Sequence, residues 1–162
     1  MKKILLLVVA VLFTTTAFAQ NFSVGGRVGS GVQAVGQYSF GNDNYVEARF
    51  GTYWANNGGY VTADFTALYN WRIFNMDWTP RTGRWFFDTG CGLNVGGKAN
   101  YAYVGAALMA RLGLTFNDAP VSLSLDWTPA FGPGILYGGG WSDAVFNEFG
   151  LASLGITCTY NF

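Results

Sequence analysis

Eight charged side chains stand at alternating positions within apolar and aromatic runs: Arg27, Arg49, Arg72 and Arg111 against Glu47, Asp64, Asp88 and Asp126. Equal numbers of the two signs, spaced so sparsely, are suited to pairing with one another away from water. Other chemistry is poorly served. The chain has no His, so the imidazole base of hydrolytic Ser or Cys catalysis is missing. Cys91 and Cys158 fall among apolar residues and away from any set of ligands with metal-site spacing. Asp143 and Glu148 are the only carboxylates near one rim, in a Gly-rich segment. The expectation is a protein that is not an enzyme and takes no metal and no cofactor. A net charge of zero gives no electrostatic basis for a nucleic-acid partner.

The rest of the composition says what must hold these charges. Only 11% of residues are charged, against about 25% in an ordinary soluble domain, while 18% are aromatic and 23 are Gly. Residues 1–19 read as a signal peptide, with Lys2-Lys3, the apolar run Ile4–Phe13 and the Ala17-Phe18-Ala19 cleavage site. Residues 20–162 then form a single exported domain, and no Cys at the cleavage site suggests a lipoprotein. No apolar run after residue 19 reaches the roughly 20 residues of a membrane helix. An aromatic, charge-poor chain without such helices has one good membrane solution, a closed barrel in which every backbone group is paired.

Period-two alternation between Gly, Asn, Asp and Pro clusters predicts eight strands. They run about 22–29, 32–40, 45–54, 60–74, 84–95, 101–116, 121–128 and 151–162. The fourth is the longest clean alternation, Val61, Ala63, Phe65, Ala67, Tyr69, Trp71 and Ile73 against Thr62, Asp64, Thr66, Asn70 and Arg72, with Leu68 the misfit. Residues 75–83, with Trp78 and Pro80, read as a long connection, and Pro129 to Asn147 as the only long loop. The two cysteines lie on the apolar parity of strands that are not neighbours, which predicts free, outward thiols acting as small hydrophobes.

The fold class expected is all-β, an eight-stranded antiparallel up-and-down transmembrane β-barrel. Four charges of each sign are too few to solvate an exterior, so the polar face turns inward. An Arg facing lipid at mid-membrane would cost about 2–4 kcal/mol. Arg27, Glu47, Arg49, Asp64, Arg72, Asp88, Arg111 and Asp126 therefore form an interior polar plug, with Arg49–Asp64 and Arg111–Asp126 as ion pairs across hairpins. The interior of eight strands is about filled by side chains, which argues against an open pore. Phe131, Tyr137 and Trp141 in the long loop are the candidate surface contacts.

Tyr69-Asn70-Trp71, Asp88-Thr89-Gly90-Cys91-Gly92-Leu93, the segment Val121 to Pro129 and the terminal Tyr160-Asn161-Phe162 resemble the small outer-membrane barrels of Gram-negative bacteria, the OmpA/OmpX-like family. The resemblance implies a bacterial outer-membrane location, a lipid environment and a monomer. It also implies that Tyr160 and Phe162 form the signal by which the barrel-assembly machinery reads the last strand. For function it implies a structural, envelope-integrity or surface-interaction role. The alternatives are a passive channel for ions or very small solutes and a soluble lipocalin-like barrel that binds an apolar ligand.

Overall fold

The alternation becomes strand pairing in the computed structural model, which describes residues 21–41, 43–54, 61–98, 101–136 and 153–162. The strands are β1 (Phe22–Gly29), β2 (Gly31–Ser39), β3 (Asn44–Trp54), β4 (Val61–Thr79), β5 (Gly83–Lys98), β6 (Tyr101–Phe116), β7 (Val121–Trp127), β8 (Ala130–Phe131), β9 (Gly134–Leu136) and β10 (Leu154–Asn161). Strands β1 to β7 pair antiparallel in sequence order, and β10 closes the ring by pairing with β7 and β1. Both β8 and β9 pair with β6 beyond β7, in the same register, so the three short segments make one interrupted stave. The result is a closed eight-stranded antiparallel barrel, which has no continuous free edge to recruit another strand.

Its polarity is the reverse of a water-soluble domain. Arg27 and Arg49 are completely buried, whereas Phe50 is 65% and Leu125 56% exposed. Along β10 the pattern is strict: Gly155, Thr157 and Thr159 face in, while Leu154, Ile156 and Cys158 face out. Leu68, the misfit of the fourth strand, lies on the inward parity and packs there with Ala107, Met109 and Ala130. One wall of the lumen is thus sealed by apolar side chains rather than by charge. Cys91 and Cys158 are free and exposed on the outer face.

Two expected boundaries are corrected. Residues 75–79 are not a long connection: β4 continues to Thr79 and pairs with β5 down to Thr79–Gly83. The register shifts between Arg72 and Phe74, and again between Met76 and Thr79. Bulges add residues to one strand and break strict alternation, so this segment reads as a loop. Nor is Pro129 the start of an uninterrupted loop, since 130–131 and 134–136 are strand. Pro129 and Pro133 remove donors from the ladder, yet their carbonyls still accept from Leu108 N (2.9 Å) and Val104 N (3.3 Å). Proline here interrupts the stave without ending it.

Candidate functional site

The inward parity delivers all eight expected plug residues to the lumen: Arg72 is half-buried, and the other seven are at most 2% exposed. Five of them, Arg27, Glu47, Arg49, Arg111 and Asp126, form one network. Arg27 donates Nε to Asp126 Oδ1 at 2.7 Å and Nη2 to the Ser153 carbonyl at 3.1 Å. Arg49 donates Nε to Glu47, and Nη1 to Asp126 Oδ1 (3.2 Å) and Thr128 Oγ1 (2.9 Å). Arg111 grips Glu47 with both terminal nitrogens, Nη1 to Oε2 at 2.7 Å and Nη2 to Oε1 at 2.9 Å. Two-point charge-assisted contacts of this kind are the strongest a guanidinium makes.

The two expected ion pairs are corrected in detail. Arg49 stands opposite Thr66, and Asp64 opposite Gly51, so the register separates Arg49 from Asp64 by two residues. Asp64 is held instead by neutral donors, Gln33 Nε2 (2.8 Å), Thr66 Oγ1 (3.1 Å), Tyr103 Oη (2.7 Å) and Asn94 Nδ2. Arg111 does stand opposite Asp126, but its guanidinium turns across the lumen to Glu47 on β3 and approaches Asp126 only to 4.0 Å. In a barrel this narrow a long side chain spans the lumen, so hairpin adjacency does not select its partner. The pair Arg72–Asp88 is local, with bonds of 3.0 and 3.3 Å, and Arg72 lies 4.5 Å over the Phe86 ring. Tyr45 donates to Asp88 at 2.8 Å and receives Arg111 Nη1 at 3.0 Å, which joins this pair to the central network.

Several residues of the site escape a reading based on charge. Tyr45, Tyr103, Gln33 and Asn94 share the inward parity and supply the neutral donors; that parity was their only signal. Two glycines act by leaving room. A Cβ at Gly155 would lie 2.5 Å from the Arg27 guanidinium carbon, and one at Gly113 would lie 2.3 Å from the Phe86 ring. The substitution Gly155→Val is therefore expected to push Arg27 off Asp126 and lower stability by about 1–3 kcal/mol, as overpacking does. Urea unfolding of the purified barrel checks this, and an unchanged midpoint would separate the glycine from the network.

Below the network, at the turn end of the barrel, where β2 passes to β3, β4 to β5 and β6 to β7, the lumen opens into a polar cavity of about 220 Å³. Ser23, Thr115, Ser122 and Thr159 line it, and the charged groups in its wall are Arg72, Asp88 and Arg111. Phe131, expected in a surface loop, instead sits outward on β8 opposite Ala106; Tyr137 and Trp141 lie outside the described residues, as do 1–19, Asp143 and Glu148. Tyr160 and Phe162 are exposed at the turn end, their rings 5.0 Å apart, with Phe162 also 6.5 Å from Phe22. Among the described residues, no group of three or more Cys, Asp or Glu gathers as a metal site. Comparison with family models, curated proteins and solved structures returned no match to this chain.

Proposed function

We propose that this chain is an integral barrel of the bacterial outer membrane, with a structural, envelope-integrity or surface-contact role and a lumen closed by its charge network. The observation that carries the reading is the inverted polarity. A water-facing exterior of Phe, Leu, Ile and Val would forfeit the hydrophobic driving force, whereas the same surface in lipid forfeits nothing. A second feature fits a bilayer interface. Aromatic pairs collect on the outer face near the turn end: Tyr38–Phe40 at 5.2 Å, Phe74–Phe87 at 6.5 Å, Trp78–Trp85 at 5.9 Å and Tyr160–Phe162 at 5.0 Å. Such girdles mark the headgroup level of membrane barrels. Tyr160 and Phe162 remain the residues offered to the assembly machinery.

Cell fractionation with gels of unboiled and boiled samples tests the reading. An outer-membrane band whose mobility shifts on boiling is the expected result, and a soluble band with no shift would overturn it. The cavity at the turn end favours one second reading, a passive conduit. Planar bilayers decide between them: the central layer of Glu47, Arg49, Arg111 and Asp126 is expected to block conductance, and stepwise currents would favour the conduit.

A further inference from the structure

Closing the ring leaves no edge along its whole height, but the staves end at different levels on the turn side. Strand β3 begins at Asn44, opposite Trp71 of β4, whereas β4 runs on to Thr79. The Arg72 N–H still donates to the Asp43 carbonyl at 2.7 Å. Beyond that bond, residues 73–79 pair with β5 alone, and no described strand stands on their other side. Strand β5 has no such gap, because it pairs with β6 down to Gly83–Phe116. Alternate backbone groups of 73–79 are therefore left without a ladder partner, which is a template for one more strand. Open edges are not tolerated in hydrocarbon, so on the membrane reading this length of β4 stands clear of the acyl chains, on the turn side.

A cleft adjoins the same gap. It has a volume of about 660 Å³, with Asp43 and Arg72 beside the start of β3 and Asn75 and Arg84 on the β4–β5 hairpin. The outer face of the hairpin is apolar instead. Phe74 and Trp78 are 58% and 64% exposed there, beside the rings of Phe87 and Trp85. A strand laid along the edge would meet polar groups on one side and aromatic rings on the other. Arg72 and Arg84 are already paired, with Asp88 and Asp77, so the cleft suits neutral hydroxyl and amide side chains rather than charge.

We propose that the free edge of β4 binds an extended peptide as an added strand, through main-chain hydrogen bonds along 73–79. The partner is a segment of another protein that alternates aromatic or aliphatic residues with Ser, Thr or Asn. The first set lies against Phe74 and Trp78, and the second enters the cleft. A second copy of this chain does not fit, since pairing the edge with itself would turn one barrel upside down or inside out relative to the other. Edge and cleft belong to the barrel itself. Only the exclusion of a second copy and the placing of the edge beyond the acyl chains rest on the membrane reading.

The test is hydrogen–deuterium exchange of the purified barrel, with a synthetic peptide of about ten residues that alternates Val or Phe with Thr or Ser as the probe. Without peptide, the amides on the open side of 73–79 are expected to exchange fast and those bonded to β5 slowly. Peptide at about ten times its dissociation constant should slow the open-side amides about tenfold and leave the rest of the barrel unchanged. The same peptide N-methylated at alternate residues, on its bonding side, should lose the effect. Open-side amides that are already slow without peptide overturn the proposal. So do unchanged exchange up to millimolar peptide, protection elsewhere on the barrel, and equal protection by the N-methylated peptide. A failure of the membrane reading would show in cell fractionation and would leave this exchange result standing.

Discussion

Replacing Asp126 with Leu is expected to destabilise the barrel by about 3–5 kcal/mol, the range for removing one partner of a buried charge group. Asp126 accepts from Arg27 and Arg49 on Oδ1, from Thr157 on Oδ2 and from Thr128 on Oδ1. Leu of similar bulk keeps the packing but strands two guanidiniums in a lumen where water reaches neither. The cost comes from those uncompensated cations rather than from any large net value of the intact pairs, because desolvation offsets most of the Coulomb gain. The double replacement Asp126→Leu with Arg27→Met should therefore recover part of the loss, a coupling that a double-mutant cycle reads directly. Heat-modifiability on gels and urea midpoints check both variants. Arg72→Leu provides the contrast. Its side chain is 29% solvent-exposed, so water replaces part of its pairing, and a smaller loss is expected. Equal losses at Arg72 and Asp126 would mean that the network is not the element holding the lumen.

The second large effect lies on the opposite face. Leu108 stands near the middle of β6, 48% exposed, between Cys91 of β5 and the interrupted β7–β9 stave. In a bilayer, Leu108→Arg places a guanidinium near mid-membrane and costs about 2–4 kcal/mol. On a barrel standing in water the same substitution costs almost nothing, since surface changes away from special features stay within about ±0.5 kcal/mol. The measurement is folding into lipid vesicles, scored by the gel shift across urea. A matched substitution at the turn-end aromatic level, Trp78→Arg, should cost much less because an interfacial cation reaches headgroups and water. If Leu108→Arg and Trp78→Arg behave alike, the membrane reading loses its depth dependence and with it its main energetic support.

Most of the barrel was legible because strand alternation and lumen polarity are the same fact. Side chains two apart share a face, so a charge every second position can only mean one charged face. The low number of such charges then assigns that face to the inside. Leu68 shows the method working on an apparent exception, since its parity is right and only its chemistry differs. The reading failed where alternation itself failed. Bulges near Arg72–Phe74 and Met76–Thr79 hid the end of β4, and prolines 129 and 133 made strands look like a loop.

Composition, alternation and the spacing of eight charges thus pointed to a closed antiparallel barrel with all eight charges inside; that seven are fully buried while Arg72 is partly exposed came only with the structure. Which charge meets which was decided only by the closed structure. Register offsets set Arg49 two residues away from Asp64, and a lumen narrow enough to span sent Arg111 across to Glu47 rather than to its hairpin neighbour. The physical reason is one of range. Alternation is a local property, repeated every two residues along a strand, whereas ion pairing in a barrel depends on the stagger and diameter reached once all eight staves have closed.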